Sequence, residues 1–173
     1  MKNTLLKTTL AILMVITAFG CFFVPNTANA FGPSILSNLF NQKEIDAIVD
    51  DRAERLDAYF AKRDMPLEGY GAKFIEVADA HELDWRLLPA IAVRESSGGK
   101  RLMNNNPFGW GSAKIKFDDF NEAIEEVGAN ISGHDEDTAK YYKDKTVYQI
   151  LWLYNGTVIH TYPKEVMGIM KMF

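Results

Sequence analysis

The chain has one cysteine, Cys21, among 173 residues, and it lies in a segment expected to be removed. Without Cys21 no disulfide staple is possible. Stability must then come from a buried core, and roughly 140 residues can bury enough apolar surface for one. The three histidines, His81, His134 and His160, lie far apart with no ligand-like spacing. That excludes an obvious metal site, and nothing in the sequence calls for a cofactor. Basic residues are also in the minority, with 19 Lys and Arg against 23 Asp and Glu, a formal charge of −4. The first thirty residues hold Lys2, Lys7 and no acid, so their loss takes the balance from −4 to −6. An acidic chain argues against nucleic acid as the partner and against binding anionic membranes by charge alone. Internal repeats and low-complexity segments are absent as well.

The amino terminus reads as a leader. Lys2 and Lys7 form a basic region, Thr8 to Val24 is an almost unbroken apolar run, and Asn26-Thr27-Ala28-Asn29-Ala30 offers an A-x-A-type cleavage site. The run is short for a spanning helix. The expectation is a signal peptide over residues 1–30 and a protein that is secreted or held in the cell envelope. Two alternatives stay open: an uncleaved anchor, through which alone the protein would meet a membrane, and lipidation at Cys21, to which Ala18-Phe19-Gly20 is a poor match. Residues 31–41 read as a spacer.

Helical periodicity begins near Gln42. Ile45, Ile48, Val49, Ala53, Leu56, Tyr59 and Phe60 recur at three-to-four spacing with charged residues between them, which predicts a helix over 42–63. The breaker-rich loop Met65 to Gly71 ends it. A second helix is predicted over 72–82, and Asp84 is placed to cap a third over 85–96. Pro89 removes a backbone donor there and predicts a loose or kinked first turn. Residues 98–117 read as one long loop with at most a tiny hairpin at 112–117. Asp118 or Asp119 opens a helix to about 132, a short helix covers Ala139–Tyr142, Thr146 caps a helix over 147–154, and Pro163 sits in the first turn of a last helix over 163–172. The predicted fold is all-α: a compact helical domain with a long central loop, expected to be a monomer.

The third helix carries the chemistry. Leu87-Leu88-Pro89-Ala90-Ile91-Ala92-Val93 is apolar on every side and runs into Arg94-Glu95-Ser96-Ser97-Gly98-Gly99. A helix apolar all round is buried, so its last turn delivers a carboxylate to the edge of the core. Desolvation at such an edge disfavours the charged form of a carboxyl group, and a carboxyl that keeps its proton suits general-acid work. The opposing possibility is that Glu95 simply pairs with Arg94 or a lysine.

Further blocks follow in order: Asn105-Asn106-Pro107-Phe108-Gly109-Trp110-Gly111; Phe117, Phe120 and Ala123-Ile124; Leu153-Tyr154-Asn155-Gly156; then Tyr162 and Val166. Over residues 70–173 the chain resembles the lysozyme-like superfamily of peptidoglycan glycosidases, with 42–69 an N-terminal helix and loop outside the resemblance. The Asn-Asn-x-Phe-Gly and Phe-x-x-Phe-x-x-Ala-Ile blocks are similar to bacterial endo-β-N-acetylglucosaminidases. The Glu-Ser pair, and Tyr-Asn followed by Tyr-x-x-x-Val, are similar to soluble lytic transglycosylases and goose-type lysozymes.

The resemblance implies a lysozyme-like domain acting on peptidoglycan glycan strands, with Glu95 protonating a glycosidic oxygen between amino sugars. It implies that Asn105 and Asn106 close over an acetamido group, that Tyr154 and Asn155 lie close to the acid, and that Tyr162 lines the cleft. Ser96 is placed to bond the acid or a sugar, and Trp110 to stack on a sugar ring. Plainer roles stay open: Ser96 satisfying its own backbone, the asparagines making turns before Pro107, and Asn155 closing a helix before Gly156.

One departure bears on mechanism. Dedicated glucosaminidases carry a larger lobe after the Phe-Gly block, with a candidate second acid. Here only Ser112-Ala113-Lys114-Ile115-Lys116 fills that space. Asp118 and Asp119 are the nearest carboxylates, and a helix cap accounts for one of them. The expectation shifts toward the single-acid mode of the transglycosylases, in which the substrate's own acetamido group assists.

Overall fold

The computed structural model describes residues 50–173, which form seven α-helices and no strand. They are α1 (Arg52–Ala61), α2 (Gly71–Ala80), α3 (Leu87–Ser96), α4 (Phe120–Ser132), α5 (Ala139–Tyr142), α6 (Val147–Leu151) and α7 (Tyr162–Met170). The expected leader, the spacer and residues 42–49 of the first predicted helix lie outside the described residues. Among those that are described, no helix is long and apolar enough to cross a membrane.

The all-α expectation holds, and α3 is its centre. Leu87, Leu88, Pro89, Ala90, Ile91 and Ala92 are all buried, as a helix without a polar face must be. The helix begins at Leu87, which puts Pro89 in the first turn. N–H groups there have no intrahelical acceptor, so no helical bond is lost and the expected loosening has no cause. Asp84 is not the cap, since the helix's N-cap position is Arg86, two residues on, with no side-chain cap bond. The Asp84 carboxylate accepts the Arg86 N–H at 3.0 Å and grips the Arg86 guanidinium, fixing the turn that leads into the helix.

The helices around α3 offer it their apolar faces. α1 contributes Leu56, Tyr59 and Phe60, α2 Phe74 and Val77, α4 Ala123, Ile124, Val127 and Ile131, and α7 Val166 and Met170, all in one core. Helix α1 is therefore part of the same packed unit, not an element beside it. Phe60 meets Phe74 at 6.0 Å between ring centres, and Asp57 of α1 accepts the N–H groups of Gly69 and Gly71 at 2.9 Å each. The packing shows no boundary at 69/70.

Asp119 caps α4 by accepting the Glu122 N–H. Thr146 caps α6 in a reciprocal pair with Gln149, the arrangement a capping box produces. The predicted hairpin at 112–117 does not form; its place is taken by a 3₁₀ turn at Trp110–Ala113. Three consecutive residues there, Gly111, Ser112 and Ala113, have φ near +60°, a conformation that cannot join a ladder of extended strands.

Candidate active site

Helix α3 ends in a turn that opens a cleft. Ser97 is left-handed at φ +56°, and Gly98 and Gly99 follow at +67° and +92°. The Gly98 N–H bonds back to the Ala92 carbonyl at 3.2 Å, closing the helix end in the manner of a Schellman motif. Gly98 has no alternative, because a Cβ there would overlap the Met65 side chain.

Ser96 belongs to this turn. It is 2% exposed, its hydroxyl donates to the Ala92 carbonyl at 2.9 Å, and it accepts the Gly99 N–H at 2.9 Å. Both capacities are used on the backbone, so the structure does not bring Ser96 to the acid or to a sugar.

Glu95 stands at the floor of the cleft. Phe108, Gly109, Trp110, Gly111 and Ser112 form one wall, Tyr154 and Asn155 the other, around a volume of about 290 Å³. Glu95 Oε1 is buried and has no hydrogen-bond partner among the described residues. Oε2 faces Gly109, where an added Cβ would lie 3.4 Å away. The neighbouring cation is committed elsewhere, since Arg94 Nε bonds Glu165 Oε2 at 2.7 Å. Among the described residues no cation pairs with Glu95, and no other carboxylate lines the cleft. Asp118 and Asp119 are exposed outside it. Buried polar atoms without partners are few in folded proteins and mark places where chemistry or ligands are at stake.

Two tyrosines stand behind the acid. The Tyr154 hydroxyl donates to the Phe108 carbonyl at 2.7 Å, joining the two walls. Burial pushes its pKa well above the usual tyrosine value, and the charge of Glu95 adds to the effect. The Tyr162 pKa is also raised, chiefly by burial and then by the charge of Glu95, with Tyr154 and the close approach of the Glu95 carboxyl adding to it and Arg94 opposing. Tyr162 is fully buried, so it does not line the cleft as expected. Among the described residues its hydroxyl, like Glu95 Oε1, is a buried side-chain polar atom that makes no well-formed hydrogen bond. The two rings stack at 6.0 Å, 6° from parallel.

The asparagines hold the loop. Asn106 is 2% exposed. Its amide nitrogen donates to the carbonyls of Trp110 (2.8 Å) and Ile115 (3.2 Å), and its oxygen accepts the Trp110 N–H (3.0 Å). Asn105 is left-handed at φ +53° and donates to the carbonyls of Phe117 and Asp118. Neither lines the cleft, because their amides replace the ladder bonds that an irregular loop lacks. Their effect is to set Trp110, half-buried and 5.6 Å from Tyr154 between ring centres, at the cleft wall.

Asn155 does reach the cleft, by a route the sequence did not signal. After α6 the chain widens into a π turn at Trp152–Gly156, with the Thr157 N–H bonding the Trp152 carbonyl at 3.1 Å. Such turns insert an extra residue and re-aim side chains, often at functional sites. Gly109, Gly111 and Ser112 are further wall residues; the Gly-Trp-Gly pattern signals a turn, while nothing marks Ser112. Tyr142 is buried and Tyr141 exposed, and neither lines the cleft. Among the described residues no group of three His, Cys, Asp or Glu side chains is placed to hold a metal ion. No protein family, no curated protein and no solved structure matches this chain.

Proposed function

We propose that the protein is a glycosidase of peptidoglycan glycan strands, secreted or held in the cell envelope and working as a monomer. It cleaves β-1,4 bonds between N-acetylglucosamine and N-acetylmuramic acid with Glu95 as general acid. One observation carries this: among the described residues Glu95 has a buried oxygen without a hydrogen-bond partner and is the one carboxylate lining a cleft that Trp110 and Asn155 also line. An indole face suits the apolar side of a pyranose. A primary amide offers both donor and acceptor to an N-acetyl group.

The protonated Glu95 carboxyl gives its proton to the glycosidic oxygen as the bond from that oxygen to C1 breaks. The substrate's acetamido oxygen closes on C1 and takes up the developing positive charge, so no second protein carboxylate is needed. Glu95, now a carboxylate, removes a proton from the incoming hydroxyl as it attacks C1 and reopens the ring. Water gives a reducing end. The sugar's own 6-hydroxyl gives a 1,6-anhydro end, the lytic transglycosylase outcome.

Digestion of purified peptidoglycan, with the fragments analysed by mass spectrometry, separates the outcomes. Anhydro and reducing ends differ by one water, and the terminal sugar identifies the bond cut. Glycan binding without cleavage would instead make the protein a wall-binding module and sink the proposal.

A further inference from the structure

The sequence holds His81 and His134 53 positions apart, and the fold brings them together. Their Nδ1 atoms lie 3.1 Å apart. His81 follows the last turn of α2, and His134 follows Gly133, the residue that closes α4. The pair therefore clasps the carboxyl ends of two helices. Farther back, α2 and α4 touch closely at Val77 and Gly128, where a Cβ on the glycine would overlap the valine. Among the described residues no third His, Cys, Asp or Glu completes a metal-binding group with them, and the chemistry open to the pair itself is proton exchange.

Two ring nitrogens this close hold one hydrogen between them, because one must donate and the other accept. The Glu125 carboxylate lies 3.5 Å from His81 Nε2 and favours a hydrogen on that nitrogen. His81 Nδ1 then accepts, and His134 Nδ1–H donates. A first added proton leaves this bond intact, since His134 can take it on its outer nitrogen. A second proton breaks the bond. Both Nδ1 atoms would carry hydrogen, the bond would become a clash of donors, and two positive charges would face each other.

Other charges near the pair do not relieve this. Glu125 is already shared with Lys73, at 2.7 Å. Asp84 is held by Arg86. The cavity of about 250 Å³ beside the histidines is also lined by Glu82, Lys143, Asp144 and Lys145, which mix both signs.

The geometry points to a proton-operated clasp: His81–His134 holds the 133–138 turn against the end of α2 with up to one added proton and releases it on the second. Release has a path. The turn packs directly on the 142–145 segment, where a Cβ on Gly133 would overlap the Lys143 backbone. Opening would loosen that segment and widen the cavity between them. The inference is independent of the glycosidase proposal.

Amide hydrogen exchange of the full-length chain tests it, with rates corrected for the intrinsic effect of pH. Between about pH 7.5 and pH 5, the range in which histidines change charge, protection of residues 133–143 should fall about tenfold or more while α3 and α7 keep theirs. His134→Asn keeps a donor near the Nδ1 position and cannot charge, so its protection should stay high at both pH values. His134→Ala should be unprotected at both. Unchanged protection in the wild type, a persisting pH effect in His134→Asn, or full protection in His134→Ala at the higher pH would each overturn the clasp.

Discussion

Arg94 and Glu95 are adjacent in sequence and opposed in fate. The Arg94 guanidinium is drawn to Glu165 on α7 at 2.7 Å and lies over the Tyr162 ring at 5.8 Å. Glu95 lines the cleft with no cation paired to it among the described residues. Adjacent residues on a helix point to different faces, and Glu165 holds the Arg94 guanidinium on the side away from the cleft.

The first prediction concerns this separation. Glu165→Gln frees the Arg94 guanidinium, which can then reach over the cleft edge and compete with substrate for the Glu95 oxygens. Glycan cleavage should fall several-fold while the urea midpoint barely moves, because exposed ion pairs contribute little to stability. Unchanged cleavage kinetics in Glu165→Gln would show that Arg94 is not a competitor for the acid.

The second concerns Asn106. In Asn106→Asp an oxygen replaces the nitrogen that sits 2.8 and 3.2 Å from two carbonyl oxygens. Repulsion adds to the loss of two bonds, so the aspartate should be worse than Asn106→Ala. The alanine variant should lose about 1–3 kcal/mol for buried groups left unpaired. Urea unfolding of both variants checks the order, and an aspartate variant as stable as wild type would refute the loop-staple role.

A third concerns the left-handed run beneath Trp110. Ser112 and Ala113 sit at φ +59° and +58°, a conformation that costs an L-residue roughly 1–2 kcal/mol. Ala113→Gly should therefore leave stability unchanged or raise it by up to about 1 kcal/mol, after the greater freedom of glycine in the unfolded chain is counted. Gly109→Ala should do the reverse. It forces alanine to φ +65° and puts a methyl group 3.4 Å from Glu95 Oε2, so both the melting temperature and the cleavage rate should fall.

A fourth concerns alkaline pH. The hydroxyls of Tyr142, Tyr154 and Tyr162 have raised pKa values, each chiefly through burial. In the folded state they stay protonated past the usual tyrosine value of about 10, whereas in the unfolded chain they ionise there. The unfolded state then holds fewer protons, so stability declines as pH rises through that value and is unaffected below it. Ultraviolet titration of the phenolates should show Tyr142, Tyr154 and Tyr162 ionising at higher pH in the folded protein than in the unfolded chain.

Much of the fold was legible because its signals are local. The periodicity of Phe120, Ala123, Ile124, Val127 and Ile131, and the caps at Asp119 and Thr146, need only neighbours in the chain to be read. The site was legible in part. Glu95 stood out because the helix before it has no polar face. Ser96, Asn105 and Asn106 are residue types that serve sugars and backbones equally, and only tertiary placement shows that their hydrogen bonds are spent on the backbone. The π turn that delivers Asn155, the burial of Tyr162 and the meeting of His81 with His134 depend on packing between distant segments, which periodicity does not encode.

The most direct measurement is the rate of glycan cleavage by Glu95→Gln against wild type, with both shown to be folded and to bind glycan alike. Glutamine keeps the shape and cannot give a proton. A general acid contributes roughly 10²–10⁴-fold, so cleavage should fall by at least about a hundredfold with binding preserved. Cleavage by Glu95→Gln at the wild-type rate would contradict the account.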